Sequence, residues 1–241
     1  MKPYELISFQ NSKALAETAA SAWLEEVEKA GRAGQPYCVA LSGGRITQDF
    51  FSSVVRMVGP RSTCFDAVHF FWVDERCVPP TDPQSNYRLA RELLFDPLNI
   101  APHQIHRVRG EDSPTAAASA ATADLCRLAA QDDQGQPVVD MIFLGLGEDG
   151  HVASLFPGEI KDLTASPAVY RSVANSPKPP PNRITLGYST IAAARKVWML
   201  ASGNGKEAPL RNSLSPDGTT PFARVLQTRS DTRIFTDVLA W

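Results

Sequence analysis

The chain has 241 residues, of which 24 are basic and 26 are acidic, and 43% of all residues are hydrophobic. At roughly 100–200 residues per domain, this length suits one large domain or two small ones. The formal net charge of -2 gives no general attraction for nucleic acid or anionic lipid. Its charged and aromatic contents are typical of a globular protein and exclude a disordered one.

Apolar segments in this sequence are short. None approaches the roughly 20 residues that a membrane-spanning helix needs, and polar residues follow the N-terminus too soon for a signal peptide. The cysteines are widely scattered without a C-x-x-C pair, which predicts free thiols: Cys38, Cys64, Cys77 and Cys126. We therefore expect a cytoplasmic protein that binds neither membranes nor nucleic acid.

The first predicted elements are a helix, a strand and a second helix. Residues 12–30 are predicted to be helical, because apolar side chains recur at spacings of four. The apolar run 37–42 predicts a strand, which Gly43-Gly44 separates from a helix over 47–58. A strand, a glycine turn and a helix in this order are typical of the start of a βαβ unit.

The same alternation continues along the chain. Further strands are predicted at residues 68–73, 138–144, 169–174, 183–186, 196–201 and 233–236. Further helices are predicted at residues 86–95, 115–131, 188–194, 205–214 and 221–227. The pattern predicts one α/β domain over residues 1–241. Its architecture is expected to be a three-layer, mostly parallel, Rossmann-like open sheet with helices on both faces.

Three of the predicted strands end in polar sequences. These are Ser42-Gly-Gly-Arg45, Asp74-Glu-Arg76 and Gly145-Leu-Gly-Glu-Asp-Gly-His151. Because parallel strands end at the same edge of a sheet, the three sequences are expected to meet there, where open α/β sheets bind ligands. This convergence predicts a functional site.

The first two sequences suit an anion. Glycines before a helix let backbone N–H groups face a phosphate, although the spacing is not that of a P-loop and a plain tight turn is an alternative. Asp74 and Glu75 beside Arg76 fit either a phosphate-binding arginine or a structural ion pair. Lys206 fits either a phosphate contact or an exposed lysine.

The third sequence favours acid–base chemistry. Gly145-x-Gly147-x-x-Gly150 matches a dinucleotide-binding fingerprint, but Pro157-Gly158 stops any helix that would follow, and the match lies in mid-chain. Asp149 and His151 flank a glycine, so a sharp turn can bring an imidazole beside a carboxylate, and histidine is the natural base at neutral pH.

The remaining candidates for catalysis are weaker. His69 is predicted to be a core residue of its strand, and His103-x-x-His106 lies in a loop without further metal ligands nearby. The sequence has no G-x-S-x-G elbow and no cysteine in a Cys–His context. A base that acts on water is therefore the simplest hydrolytic route.

These motifs resemble those of the 6-phosphogluconolactonases, in the superfamily of glucosamine- and galactosamine-6-phosphate isomerases. The most specific match is Gly145-Leu-Gly-Glu-Asp-Gly-His-Val-Ala-Ser-Leu-Phe-Pro-Gly158. Five shorter sequences match in order over most of the chain: Leu41–Gly44, Asp74–Arg76, Ser85-Asn86, Arg183–Leu186 and Gly203–Lys206.

The resemblance implies hydrolysis of 6-phospho-D-glucono-1,5-lactone to 6-phosphogluconate, in the oxidative pentose phosphate pathway, without a cofactor or metal. It implies that His151 is the base that activates water and that Asp149 orients or polarises it. The implied substrate- or phosphate-binding residues are Ser42, Gly43, Gly44, Arg45, Asp74, Arg76, Arg183 and Lys206. We expect a small sugar-phosphate lactone as partner and a monomeric chain.

The chain departs from the family pattern at one place. Many relatives continue the glycine loop with Ser-Thr-Pro or Arg-Thr-Pro, whereas this chain has Arg45-Ile-Thr-Gln48.

Two alternative functions remain open. A glucosamine-6-phosphate deaminase would show Asp-Glu-Tyr in place of Asp74–Arg76, and a non-catalytic sugar-phosphate-binding module would be expected to lose the base.

Overall fold

A computed structural model of the protein describes residues 4–59, 65–159 and 165–238. Six described strands form the central sheet, and every neighbouring pair is parallel. Their bounds are β1 (Glu5–Ser8), β2 (Tyr37–Leu41), β3 (Val68–Trp72), β7 (Met141–Gly145), β10 (Lys196–Ala201) and β11 (Thr232–Thr236). The predicted α/β class and mostly parallel sheet are confirmed.

The sheet has its topological switch point between β2 and β7. The strand order is β1-β11-β10-β7-β2-β3, so the chain leaves β2 toward β3 on one side and leaves β7 toward β10 on the other. The carboxyl ends of β2 and β7 therefore lie on either side of a crevice, which is where open α/β sheets bind ligands.

Helices cover both faces of this sheet. The described helices are α1 (Ser12–Ala33), α2 (Arg45–Val58), α3 (Asn86–Ala90), α4 (Pro114–Leu128), α5 (Tyr188–Ala193), α6 (Glu207–Leu214) and α7 (Pro221–Gln227). Because parallel crossovers are right-handed, α1 and α2 share one face, whereas the helices that follow β7 lie on the other. The contacts agree: α1 packs on α2, and α5 packs on α7.

Aromatic side chains join the first two helices to the sheet. Trp23 of α1 lies 5.5 Å from Phe50 of α2 and 5.4 Å from Phe143 of β7, measured between ring centroids, and all three are buried. Asn11 caps α1 by accepting a hydrogen bond from the N–H of Ala14, and Gly34 ends it in the left-handed conformation.

A second, antiparallel sheet was not predicted. β4 (Asp74–Arg76) pairs with β9 (Arg183–Leu186), which pairs in turn with β8 (Tyr170–Val173). The sequence assigned no pairing to these segments; the Val73 N–H donates to the Leu41 carbonyl, and the chain then turns so that β4 pairs with β9.

Several predicted boundaries differ from the structure. The helix expected over 115–131 ends at Leu128, because residues 130–131 enter a short hairpin, β5 (Ala130–Gln131) with β6 (Pro137–Val138). The helix expected over 86–95 is α-helical to Ala90 and then widens into a π-helical turn, Arg91–Phe95, before the short Asp96–Leu98 segment. Strand β1 was missed altogether.

The outer side of edge strand β3 is covered by residues that follow the 3₁₀ turn Pro102–Gln104. Ile105 forms a bridge with Phe70, and the N–H of His106 donates to the Phe70 carbonyl at 2.9 Å. The Gln104 amide donates to the carbonyls of Phe65 and Val68.

The structure also bears on two predictions made from the sequence, the lack of a membrane-spanning helix and the free cysteines. In the described part of the chain, no helix is both long and apolar enough to cross a membrane. Cys38, Cys77 and Cys126 are free thiols, and Cys64 lies outside the described residues.

Candidate active site

A cavity of about 300 Å³ opens at the switch point. Nine of the ten predicted site residues line it: Ser42, Gly43, Gly44, Arg45, Asp74, Arg76, His151, Arg183 and Lys206. The tenth, Asp149, is hydrogen-bonded to His151. The expected convergence of the strand ends is therefore present, although the roles of these residues remain predictions.

The glycine loop between β2 and α2 forms one wall. Gly44 has a φ of 109°, which L side chains rarely adopt, and a Cβ on Gly43 would lie 2.0 Å from the side-chain oxygen of Asn86. Among the described residues, no side chain caps α2. The first N–H groups of α2 have no intrahelical partner, so this end of the helix favours an anion.

The residues that depart from the family pattern divide into two groups. Arg45 and Ile46 line the cavity, whereas Thr47 is buried and donates its hydroxyl to the Gly43 carbonyl at 2.9 Å. Arg45 therefore faces the cavity and Thr47 stabilises the loop internally.

His151 and Asp149 lie in the tight loop after β7. The Nδ1 of His151 is 2.5 Å from the Oδ1 of Asp149, and the Gly147 N–H donates to the His151 carbonyl. Because a carboxylate accepts hydrogen bonds, Nδ1 carries the proton and Nε2 is left unprotonated in the neutral ring. No helix follows Gly150 in the described residues up to 159, which agrees with the rejection of a dinucleotide fingerprint.

Burial keeps this imidazole neutral. It lowers the pKa of His151; hydrogen bonding to Asp149 acts in the opposite direction, and the positive charge of Lys178 lowers the pKa further. Burial acts to raise the pKa of Asp149, but its bond to His151 and the nearby Lys178 lower it overall. The pair is thus an ionised carboxylate that orients a neutral base.

Asp74 is a buried carboxylate that joins several parts of the site. Its Oδ2 accepts a hydrogen bond from the Ser154 hydroxyl at 2.7 Å and lies 3.8 Å from Arg183 and 3.9 Å from Arg76. Its Oδ1 is 3.3 Å from the amide nitrogen of Asn86. Asp74 therefore neutralises part of the charge of both arginines.

The neighbouring carboxylate of Glu75 points away from the cavity and holds the start of α3. It accepts backbone hydrogen bonds from Arg76, Asn86 and Tyr87, and another from the Ser85 hydroxyl. Burial raises the pKa of Glu75 to about 7, against the effect of these backbone bonds. Ser85 caps α3, since its hydroxyl accepts from the N–H of Arg88.

The cationic side chains of the cavity differ in how many of their N–H donors form hydrogen bonds within the protein. Arg76 donates from Nη1 to the Gln84 carbonyl, while its Nε is buried without a hydrogen-bond partner among the described residues. Arg183 is buried and donates to backbone carbonyls of the proline-rich loop 176–181. Burial and the nearby charges of Lys178 and Arg45 lower the pKa of Lys206, against the effect of Glu148.

Three residues of the site were not identified from the sequence. Lys178 lines the cavity, Ser154 binds Asp74, and Asn86 contacts both Asp74 and the glycine loop. Lys178 lies in the proline-rich stretch Ser176-Pro-Lys-Pro-Pro-Pro181, whose composition is typical of a rigid surface loop. The one feature of the sequence that could have identified Lys178 is its positive charge shortly before Arg183, a predicted site residue.

Two of the other three histidines, His69 and His106, form a separate pair. The Nδ1 of His69 lies 3.0 Å from the Nε2 of His106, whose ring stacks on Phe71. His69 is therefore not simply a core residue, and His106 does have a partner. Burial lowers the pKa of His106 to about 4, so the pair is neutral at pH 7. Across the described residues, no three potential ligands form a metal-binding group.

Comparisons with known proteins agree on one family. The model described as "Glucosamine-6-phosphate isomerases/6-phosphogluconolactonase" matches residues 10–235. A 6-phosphogluconolactonase of Treponema pallidum is 36% identical over 76% of this chain and 75% of its own length. One from Mycobacterium leprae is 32% identical over 89% and 88%. The structure of 6-phosphogluconolactonase from Trypanosoma brucei is 26% identical, with a TM-score of 0.82 over 96% of this chain and 95% of that one.

Proposed function

Since the chain belongs to the family of glucosamine-6-phosphate isomerases and 6-phosphogluconolactonases, we propose that it hydrolyses 6-phospho-D-glucono-1,5-lactone to 6-phospho-D-gluconate. This is the lactone-opening step of the oxidative pentose phosphate pathway. The observation that carries the proposal is the meeting of a carboxylate-oriented histidine and an uncapped helix N-terminus in one cavity.

The phosphate is proposed to bind at the glycine loop. Backbone N–H groups at Gly43, Gly44 and the first turn of α2 supply donors, and Arg76 and Lys206 add positive charge, with Arg45 beside them. Ser42 and Asp74 are proposed to contact the sugar. Arg183 remains a predicted contact, although most of its donors are already bonded within the protein.

The chemical step uses His151 as general base. Its Nε2 takes a proton from a water molecule as the water oxygen bonds to the lactone carbonyl carbon, and the carbonyl electron pair moves to the carbonyl oxygen. When that pair re-forms the double bond, the ring C–O bond breaks and the imidazolium returns the proton to the ring oxygen. Anchoring the remote phosphate fixes the geometry of this attack.

The proposal also covers the location, the oligomeric state and the binding partners of the enzyme. We propose a cytoplasmic monomer that needs neither cofactor nor metal and does not bind nucleic acid. Across the described surface, Met57 is the single large hydrophobic side chain that is exposed, which supports a chain without an extended apolar interface.

The test is proton release after addition of freshly generated lactone, corrected for spontaneous hydrolysis. The unaltered protein is expected to accelerate release, and His151→Ala to lower kcat by about 100-fold or more, the scale of a lost general base. His103→Ala is the matched control, because that histidine is exposed and does not line the cavity.

Near-normal turnover by His151→Ala would remove His151 from the role of base. If the unaltered protein gave no acceleration, lactonase activity would be rejected. Ammonia release from glucosamine 6-phosphate would then distinguish a deaminase from a module that binds sugar phosphates without chemistry.

A further inference from the structure

The loop 176–181 brings a further cation into the cavity. The Nζ of Lys178 lies 3.9 Å from the Oδ1 of Asp149, the carboxylate that binds His151. Lys178 lines the cavity together with His151, and 41% of its side chain is exposed. Its ammonium group therefore lies at the catalytic end of the site and has room to meet a substrate.

The backbone that carries Lys178 is firmly held. The buried guanidinium of Arg183 donates to the carbonyls of Lys178, Pro179 and Pro180, at 3.2, 2.9 and 3.2 Å. The Ser176 hydroxyl also donates to the Lys178 carbonyl, at 2.9 Å. The loop backbone is thus fixed. The lysine side chain has several rotatable bonds, so its ammonium group can stay close to a substrate whose shape changes during the reaction.

Of the other four described cavity cations, Lys206 is placed at the phosphate by the proposed function, and the other three have protein partners or begin the helix at the glycine loop. Arg76 binds the Gln84 carbonyl and lies beside Asp74, and the donors of Arg183 hold the loop. Arg45 begins α2, at the uncapped helix end assigned to phosphate. Among the described cations, Lys178 is the one that forms an ion pair with Asp149.

We propose that Lys178 is a catalytic residue whose ammonium group stabilises the negative charge on the lactone carbonyl oxygen during water attack. This inference rests on the proposed function, because it assigns a role within that reaction. The carbonyl electron pair moves onto oxygen beside the ammonium group as the water proton passes to His151. It returns to the C–O double bond when the ring oxygen leaves, so Lys178 neither gains nor loses a proton. A positive charge placed where transition-state charge develops is an effective source of catalysis.

The test compares Lys178→Met with Lys178→Arg and the unaltered protein. The expected result for Lys178→Met is a kcat about 100-fold lower with KM changed less than about threefold, because an oxyanion contact forms in the transition state. Lys178→Arg keeps the charge and should recover a large part of kcat. Lys29→Met is the matched control, since Lys29 lies on α1 with 64% of its side chain exposed.

A second measurement is the pKa of His151 by NMR titration, which does not depend on turnover. The charged groups that act on His151 are Asp149, Lys178 and Asp74. Because Lys178 lowers the pKa of His151, Lys178→Met should raise it and move the acidic limb of kcat/KM to higher pH. An unchanged pKa would show that the Lys178 ammonium group does not lie beside the Asp149–His151 pair, and the inference would then fail.

Two kinetic results would also overturn the inference. A raised KM with unchanged kcat would make Lys178 a phosphate ligand instead, and unchanged kcat and KM would leave it without a role. Failure of the proposed function is distinguishable, because the unaltered protein would then give no acceleration in the reference arm.

Discussion

At the scale of single residues, the catalytic geometry depends on the missing side chain of Gly147. A Cβ there would lie 2.0 Å from the Nδ1 of His151 and 2.6 Å from the Oδ1 of Asp149. Both atoms form the hydrogen bond that orients the base, so no methyl group fits without displacing that bond.

We expect Gly147→Ala to reduce kcat by about 10- to 100-fold, because the base loses its orientation. The fold should survive, since the loop is at the rim of the sheet. Gly31→Ala is a suitable control: its Cβ would meet no atom of the described residues within 4 Å, and alanine favours a helix. Steady-state kinetics and thermal unfolding of both variants check this, and an unchanged kcat in Gly147→Ala would contradict the steric argument.

Sequence reasoning identified the residues whose chemistry is visible in the sequence. His151 and Asp149 were found because only a glycine separates them, and the glycine loop was found because it follows a strand. Lys178 and Ser154 were missed because their partners are distant in sequence: Ser154 binds Asp74, 80 residues away. No local spacing encodes such a contact.

At the scale of secondary-structure elements, the short helix α3 is fixed by one buried carboxylate. Glu75 accepts the N–H groups of Asn86 and Tyr87, and Asn86 packs directly against Gly43. Glu75 therefore links the start of α3 to the loop that we assign to phosphate.

Glu75→Gln should lower the free energy of unfolding by about 1–3 kcal/mol, because an amide cannot accept all of these hydrogen bonds. A pH effect follows as well. Burial raises the pKa of Glu75 to about 7, so between its unfolded value of 4.5 and 7 the folded state holds more protons than the unfolded chain. Its contribution to stability is therefore present below about pH 4.5 and is lost as pH rises through 7.

Urea unfolding at several pH values measures this slope. The unaltered protein should lose stability with rising pH relative to Glu75→Gln, whereas Ser85→Ala, which removes one neutral donor to the same carboxylate, should keep the slope. Equal slopes in the unaltered protein and Glu75→Gln would show that Glu75 does not titrate in this range.

The elements themselves were predictable to different degrees. The buried parallel strands are continuous apolar runs and were found. β4 was predicted only as the end of a strand, because its three charged residues show no apolar pattern. Its pairing with β9 depends on tertiary contacts, which the local sequence does not encode. The π-helical turn after α3 likewise has no signature in the sequence.

At the scale of the whole molecule, charge is distributed unevenly. The chain has a formal net charge of -2, yet five cationic side chains of the described residues line the cavity: Arg45, Arg76, Lys178, Arg183 and Lys206. Asp74 is the acidic side chain among the described lining residues. A phosphorylated anion is thus attracted to one place on a protein that otherwise repels it weakly.

This distribution predicts a salt dependence. Raising the ionic strength from about 20 to about 300 mM should increase KM for the phosphorylated lactone several-fold with little change in kcat, because salt screens the attraction. Unphosphorylated glucono-1,5-lactone serves as the control substrate, and its slow hydrolysis should be insensitive to salt. An identical response of both substrates would exclude a phosphate-directed effect.

The cover over β3 has a consequence that concerns neither substrate nor catalysis. β3 is an apolar strand, and its outer hydrogen-bonding groups would otherwise offer a template to the strand of another molecule. Ile105 and the N–H of His106 occupy that template. At the opposite edge, β1 has four residues and begins with Glu5, whose charge is paired with Arg233. Resistance to aggregation thus depends on Ile105 and His106, which are not among the described residues that line the cavity, so a mutation there would leave the chemistry intact and still expose the protein to aggregation.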